Sequence, residues 1–445
     1  MKIYTNRKGY NNITFPKLTT IYAVVGLPIY IYIYIYISIS HQPHSLDCFI
    51  RVCLIYSPIF SNMAIRAQNR KEMVSQLARN NIIVADILSR LPVKTLLRFN
   101  SVCKLWHYMI DSSLGFQALH YDRSQRKPRF LLRWSDFDFQ PLESIGCRYV
   151  YNFIPTDTEG NMFSPIQVKV QEPVKLVLPG CFGLLCLATE TRIYVFNPST
   201  RRLLALPYDR NGIAGFGIGY LSSAKTHKIV RLNIPRQSRT SSNCKLECSV
   251  FTLLPEKRGL KWRAVKEGCP YLVEQFGFPA FANETIYWKI DLGQHQALHR
   301  HNDFIVSFKL SDEKFQTITH PDHRTDTPRH WKSPTRHSTQ LVELRGHLYM
   351  VETLALSHVA IWRLTNPENS IWSKACTIDI SKISPKFVGE LQCVKGTEII
   401  FNSGTRLLLY YDEEKKTFRR KILPCSAENL TIYCESLTSL TTSQG

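Results

Sequence analysis

The stretch ILSRLPVKTLLRFNSVCKLW, Ile87–Trp106, decides how the first part of this chain folds. Apolar residues at positions 83, 84, 87, 88 and 91 recur at the spacing of one helix face and predict a first helix. Pro92 ends that helix because its ring removes a backbone hydrogen bond, and it suits the first position of a second helix. Fewer than about 40 residues bury too little surface to stand alone, so the pattern predicts a helical module that must dock.

Two further short helices follow from the same spacing. Val93, Leu96 and Leu97 face one way in the second. Ser101 is the expected amino-terminal cap of the third, because a serine hydroxyl accepts a bond from a free amide of the first turn. The apolar face of that third helix comprises Val102, Leu105, Trp106, Met109 and Ile110.

The segment ADILSRLPVKTLLRFNSVCKLWHYMI, residues 85–110, resembles an F-box of the plant type, with ILSRLPVK, LLRF, and VCK followed one residue later by Trp. The resemblance implies insertion into a Skp-type adaptor and, through it, attachment to a cullin–RING ubiquitin ligase. The residues it implies as forming or supporting the adaptor interface, some by internal packing, are Ile87, Leu88, Leu91, Pro92, Val93, Leu96, Leu97, Cys103 and Trp106. Family members usually begin with Leu-Pro and acidic residues, whereas this chain has ARNNI at 78–82, which predicts weaker adaptor binding. The alternative is an ordinary helical fragment packed against the rest of the chain.

After a polar connection the pattern changes to short β-branched and aromatic strands such as RIYVF, HKIVRL, DFIVSFKL, HLYMV and TRLLLYY. Aromatic residues near strand ends recur at intervals of 55, 57, 54 and 49 residues, and each precedes a polar turn and a second strand. These five positions are Phe196, Phe251, Phe308, Trp362 and Tyr411. A hairpin repeating near 50 residues predicts a kelch-like β-propeller of roughly six blades.

The same region resembles the F-box-associated domain of plant F-box proteins. CFGLLCL, VFNPSTRRLLALP, GFGIGY, ETIYWKI, FIVSFKLSDEKFQTI and LVELRGHLYMVE occur in the order typical of that domain. The resemblance implies that this domain captures the protein to be ubiquitinated. The predicted fold class is therefore multidomain, a small three-helix F-box followed by an all-β propeller-like domain.

The predicted domain boundaries follow these changes of pattern. They are a low-complexity hydrophobic segment at 1–62, the F-box at 76–120, a linker at 121–128, the β-propeller-like domain at 129–435 and a carboxy-terminal tail at 436–445. Residues 21–39 are the one candidate membrane anchor, but their Ile/Tyr alternation has the period of a strand. An alternating A-T tract in the gene also encodes Ile-Tyr repeats, so an extended gene model with a working start near Met63 is the preferred interpretation.

Charge and cysteine content narrow the classes of function. The net charge of +21 is spread as +6 over residues 1–70, +5 over 71–127 and +10 over 128–445, which favours a basic surface over a nucleic-acid groove. None of the thirteen cysteines forms a C-x-x-C pair, so no metal site is predicted, and a reducing intracellular environment is expected. The glycines of GIAGFGIGY, residues 212–220, lack the spacing and lysine of a nucleotide loop and predict a strand.

Two histidine-rich stretches remain as candidate sites. His295, His299 and His301 have no ligand partner fixed by spacing, and an exposed loop is expected there. The stretch at 320–337 reads as a loop between blades or as a surface that recognises an acidic partner. Its candidate target-binding residues are His320, His323, Arg324, Arg329, His330 and Trp331.

The sequence therefore predicts a non-catalytic receptor subunit of an SCF-type ubiquitin ligase, without cofactor, acting in the cytoplasm and/or nucleus. The expected partners are a Skp-type adaptor, through it a cullin–RING ligase, and an unidentified protein target. Nucleic acid is not expected, and a membrane only if residues 21–39 are a true anchor. The alternatives are a glycan-binding protein, or a basic protein associated with nucleic acid or membrane, without a ligase role.

Overall fold

The computed structural model describes residues 32–35, 50–53, 81–134, 149–208, 212–235, 245–253, 261–275, 277–291, 304–321, 339–354, 357–381, 383, 389–403, 406–423 and 429–440. The chain divides into two units, residues 1–80 and 81–445. In the first unit, Tyr32–Ile35 (β1) and Ile50–Cys53 (β2) pair antiparallel, as the Ile/Tyr period of two predicts for the residues described there. Among the described residues, no helix has both the length and the apolar character needed to cross a membrane.

The second unit begins with helices. They are residues 81–88 (α1), Val93–Phe99 (α2), Lys104–His107 (α3) and Leu114–Ser124 (α4), with a π-helical turn at Tyr108–Ser112 between the last two. Pro92 lies in extended conformation immediately before α2 and separates the two helices as predicted, but it precedes the first position of α2 instead of occupying it.

Two details of the helical prediction are wrong. The residue preceding α3 is Cys103, and the hydroxyl of Ser101 instead donates to the carbonyl of Arg98 at 3.1 Å, so Ser101 is not a cap. Helix α4 was not predicted, because it has no broad apolar stripe; it begins after Ser113, whose hydroxyl accepts from the Phe116 amide at 3.3 Å. This helix continues to Ser124, four residues into the segment proposed as a linker.

The rest of the unit consists of strands. In chain order they are Arg129–Trp134 (β3), Tyr149–Asp157 (β4), Ile166–Val170 (β5), Leu176–Val177 (β6), Leu185–Ala188 (β7), Ile193–Asn197 (β8), Arg202–Ala205 (β9), Ile213–Leu221 (β10), Thr226–Asn233 (β11), Glu247–Leu253 (β12), Arg263–Ala264 (β13) and Ala280–Ala282 (β14). They continue as Thr285–Lys289 (β15), Phe304–Lys309 (β16), Lys314–Thr319 (β17), Thr339–Leu344 (β18), His347–Leu354 (β19), His358–Asn366 (β20), Ile371–Asp379 (β21), Glu390–Lys395 (β22), Glu398–Asn402 (β23), Leu407–Asp412 (β24), Thr417–Ile422 (β25) and Asn429–Tyr433 (β26).

These strands form six four-stranded antiparallel sheets, the blades of a β-propeller. In order from first to fourth strand, blade 1 is β26-β3-β4-β5, blade 2 is β6 to β9, blade 3 is β10 to β13, blade 4 is β14 to β17, blade 5 is β18 to β21 and blade 6 is β22 to β25. The first strands of blades 3 to 6 and 1 contact one another in turn and are the innermost. The predicted count of six is confirmed.

The ring closes by a non-local pairing. The last strand, β26, supplies the first position of blade 1 and pairs with β3, with Tyr433 opposite Arg129. The two ends of the propeller sequence are therefore hydrogen-bonded to each other, which leaves no open edge between the first and last blades.

The five repeating aromatic residues all lie on third strands, as the predicted hairpin requires. Phe308 faces Phe315 and Tyr411 faces Phe418 across the third and fourth strands, with ring centroids 4.7 and 4.8 Å apart. Cross-strand aromatic pairs of this kind stabilise a sheet, which explains why the repeat is visible in the sequence.

Strand direction sorts the connections between two ends of the propeller. In blades 2 to 6 the first strand joins the second, and in every blade the third joins the fourth, at one end, which we call the proximal face. In blade 1, β26 ends and the helices enter β3 at this same face. The proximal turns are mostly tight, such as Asn283–Glu284 and Arg345–Gly346. The second strand joins the third, and the chain enters each first strand, at the opposite end, the distal face. The strands that flank the long connections at residues 234–246, 290–303 and 320–338 end and begin at that distal face.

The glycine run of residues 212–220 is a strand, as predicted. Gly215, Gly217 and Gly219 alternate along β10, and an added Cβ would lie 2.5–2.6 Å from side-chain atoms of Val273, Ile286 and Phe281. Glycine is used there because the neighbouring side chains approach the backbone closely.

Candidate functional site: the helical module and its seat on the propeller

The helical module, residues 81–124, has a small core of its own. Leu96 and Val93 are fully buried, and Phe99 and Trp106 pack with ring centroids 5.3 Å apart. The other buried apolar residues of this core are Leu88, Met109, Ile110 and Phe116.

Large apolar side chains also cover the outside of the module. Ile82 is 68% exposed, Tyr108 62% and Leu97 43%. The remaining exposed apolar residues of the module are Ile83, Ile87, Val102, Leu105, Leu114 and Leu119. Burying one such side chain contributes about 1.5–3 kcal/mol, so this exposed set is a substantial unused driving force for association.

The structure divides the nine predicted adaptor residues into two groups. Ile87, Pro92 and Leu97 are exposed, and Leu91 and Cys103 are half-buried. Leu88, Val93, Leu96 and Trp106 are buried and belong to the module's core. The second group therefore supports the module from inside, and only the first is available to a partner in this conformation.

Helix α4 holds the module together by polar contacts that the sequence motif did not indicate. Arg123 donates to the Asp86 carboxylate and carbonyl and to the Ser89 hydroxyl, which ties α4 to α1. The hydrogen bond from Arg123 lowers the pKa of Asp86 below its ordinary value. His120 is buried, and its Nε2 lies 3.0 Å from the Leu91 carbonyl at the bend before α2. Burial lowers the pKa of His120, so its imidazole stays neutral at pH 7.

The module sits on the proximal face of the propeller through a stack of aromatic rings. Tyr121 of α4 stacks on Phe182 at 4.8 Å, and Phe182 stacks on Tyr220 at 3.9 Å. Phe182, in the β6–β7 connection, has a φ of 47°, an uncommon backbone conformation for a residue other than glycine, and thereby places its ring beneath α4. Burial raises the pKa of Tyr121 far above its ordinary range, with a smaller contribution from the nearby Glu343 carboxylate.

The carboxy-terminal residues complete this seat. Glu435, which follows β26, forms an ion pair with Arg129 at 2.9 Å and accepts from the Val93 amide at 3.2 Å. The Ser124 hydroxyl donates to the Glu435 carbonyl at 2.7 Å. Residues 436–440, proposed as a tail, contain three buried side chains, Ser436, Leu437 and Leu440.

The predicted target-binding residues fall mostly outside the described part of the chain. His320 is half-buried at the end of β17. His323, Arg324, Arg329, His330 and Trp331 lie outside the described residues, as do His295, His299 and His301. The first five lie between β17 and β18, and β18 begins at the distal face.

The described residues contain no cluster of three or more His, Cys, Asp or Glu side chains able to hold a metal ion. Eight of the cysteines within them are free thiols, and burial raises the pKa of several, for example that of Cys434 to about 12. Such thiols stay protonated at neutral pH and are poor nucleophiles.

Comparisons with known proteins agree with this architecture. A family model described as an F-box associated beta propeller domain matches residues 148–431, and one described as an F-box domain matches residues 81–116. An F-box protein of Arabidopsis thaliana is 26% identical over 320 residues, 67% of this chain and 75% of its own length. Another from the same plant is 23% identical over 376 residues, 76% of this chain and 85% of its own length.

Solved structures resemble the propeller only distantly. The crystal structure of TolB from Acinetobacter baumannii covers 72% of this chain and 73% of its own, at 10% identity and a TM-score of 0.39. A likeness this remote supports no inference about function. The family models, the order of the two domains and the six blades together show that the chain belongs to the plant F-box proteins that carry an F-box-associated β-propeller.

Proposed function

We propose that this protein is the substrate-recognition subunit of an SCF-type ubiquitin ligase, acting in the cytoplasm and/or nucleus. Its F-box binds a Skp-type adaptor, and its propeller binds a target protein. The architecture is typical of non-catalytic subunits, so the chain supplies proximity: it raises the effective concentration of a target lysine near the ubiquitin thioester held by other subunits.

One observation carries this proposal. The module rests on the propeller through α4 and Glu435, yet large apolar side chains on α1, on α2 and around α3 remain exposed. If these side chains were buried within the chain, the alternative of an ordinary helical fragment packed against the rest of the chain would be favoured. The exposed set fits a partner that buries them.

The two faces of the propeller suggest where the target binds. The module occupies the proximal face, whereas the strands joined by the long connections end and begin at the distal face. Loops on a rigid scaffold commonly carry recognition, so the target is expected on the distal side, within reach of the connection at 320–338.

The adaptor half of the proposal is tested by capture of a purified Skp-type adaptor on the full chain. The double variant Ile87→Asp with Leu97→Asp places two charges on the exposed surface, and we expect adaptor affinity to fall at least about thirtyfold. The matched control is Ile371→Asp, because Ile371 is 50% exposed on the fourth strand of blade 5 and should leave affinity unchanged. Wild-type affinity in the double variant would contradict the assignment.

The target half is tested in plant cells with the proteasome blocked. The wild-type chain and the double variant should capture the same proteins through the propeller, but only the wild-type chain should cause them to accumulate ubiquitin. Equal ubiquitination with both chains would show that targets are not modified through the F-box.

A further inference from the structure

The carboxy-terminal residues Cys434–Leu440, which we call the clasp, are anchored to the propeller. Asn197, at the end of β8, donates from its amide nitrogen to the carbonyls of Ser436 at 3.1 Å and Thr438 at 2.9 Å. Asn197 is fully buried and begins the NPST turn. The clasp is therefore a fixed part of the closed ring.

Glu435 connects the clasp to three other parts of the chain. Its carboxylate pairs with Arg129, the first residue of β3, and accepts from the amide of Val93, the first residue of α2. Its carbonyl accepts from Ser124, the last residue of α4. The Glu435 side chain is only 14% exposed, so these contacts are shielded from water and weakly screened by salt.

The contact with α2 supplies something that the local sequence lacks. The first amides of a helix have no partner within the helix, and negative charge there is stabilising. The first turn of α2 contains no acidic residue, and the side chain of Pro92 cannot accept a bond. Glu435 provides the missing charge and acceptor from a position 342 residues away in the sequence.

We propose that Glu435 is a positioning residue for adaptor binding, which makes the placement of the F-box helix α2 depend on closure of the propeller. This inference rests on the proposed function. Glu435 reaches Val93 only when β26 is paired with β3, because the clasp follows β26 directly. A chain whose last strand is unpaired therefore presents α2, with its exposed Leu97, in a poorly held orientation.

The test compares the full-length wild-type chain with Glu435→Ala, using hydrogen exchange of the backbone amides and adaptor affinity. We expect amides at the start of α2 to exchange about five- to tenfold faster, and the adaptor to bind about three- to tenfold more weakly. Exchange in blades 3 to 5 should stay unchanged. Glu435→Gln keeps an acceptor for the Val93 amide but loses the ion pair. Its α2 exchange rate and adaptor affinity should therefore lie between those of the wild-type chain and Glu435→Ala.

The matched control is Glu398→Gln in blade 6. Glu398 forms the same type of pair, with Arg419 at 2.7 Å, but forms none of the contacts of the clasp. This variant should match the wild-type chain in both measurements. If Glu435→Ala fails to fold, Ser124→Ala removes one contact to the same residue without altering the sheet and should shift α2 exchange in the same direction by about twofold.

The outcomes separate this inference from the proposed function. Faster α2 exchange in Glu435→Ala, when the wild-type chain does not bind the adaptor, would keep the dependence of α2 placement on Glu435 and remove the ligase assignment. Adaptor binding by the wild-type chain with unchanged α2 exchange and affinity in Glu435→Ala would overturn the positioning role. Equal acceleration of exchange throughout the propeller would also overturn it, since that pattern indicates general destabilisation.

Discussion

The helical module and the propeller bury their apolar residues in different ways. Nine of the fifteen exposed large apolar residues in the described part of the chain lie within residues 81–124, although the propeller is several times larger. In the propeller, each blade covers its neighbours, and the ring closes on itself. The module leaves much of its apolar surface exposed, and under the proposed function this surface is the one that the adaptor covers.

The largest expected effect tests this difference in burial with two adjacent residues of α2, one buried and one exposed. Leu96→Ala opens a cavity in the module's core and should lower the free energy of unfolding of the module by about 2–5 kcal/mol. Leu97→Ala should change it by less than about 0.5 kcal/mol but weaken adaptor binding. Chemical denaturation followed by hydrogen exchange in α2, together with adaptor titration, measures both. Similar losses of stability for the two variants would show that Leu97 is covered after all.

A second prediction compares how the stability of the two regions depends on pH. His227 is fully buried in β11, its Nε2 lies 3.2 Å from the Cys181 carbonyl, and burial lowers its pKa from 6.5 to about 4. Below pH 6.5 the unfolded chain binds a proton at His227, whereas the folded chain binds it only near pH 4. Stability is therefore complete above pH 6.5 and falls by about 3 kcal/mol as the pH drops to 4.

The variant His227→Gln should flatten that pH dependence in the propeller, and His120→Gln should do the same in the module, where burial also lowers the histidine pKa. Urea unfolding between pH 4 and 7.5, with hydrogen exchange assigning each transition to its region, checks both. A wild-type slope in His227→Gln would mean that other groups control acid stability.

The smallest expected effect concerns packing between blades. Gly217→Ala places a Cβ 2.6 Å from the Cγ2 atom of Ile286, and the resulting overpacking should cost about 1–3 kcal/mol. The control is Gly346→Asn, in the exposed β18–β19 turn, because asparagine tolerates the positive φ of 83° found there and nothing lies within 4 Å. Thermal unfolding of the two variants decides whether the glycines of β10 are required by close packing.

Local patterns were enough to predict most of the architecture. The helix bend at Pro92, the hairpin repeat and the blade count all depend on residues close together in sequence, and the structure confirms them. The contacts that seat the module could not be predicted in this way. Glu435 and Val93 are far apart in the sequence and have no spacing signature, and Arg123 lies in a helix without an apolar stripe.

The division of the predicted adaptor residues has the same cause. The spacing of apolar residues in Ile87–Trp106 shows which positions are hydrophobic. It does not show which of them are buried, because the four short helices have more than one buried side. Leu96 and Leu97 are identical in chemistry, yet in the folded chain Leu96 is fully buried and Leu97 is 43% exposed.

The alternation of strand direction has a consequence for how such receptors can diversify. Any residues inserted between the second and third strands of a blade lengthen only the side facing away from the F-box. Under the proposed function, target specificity can therefore change, by natural variation or by grafting loops in the laboratory, while the surface that binds the adaptor stays the same.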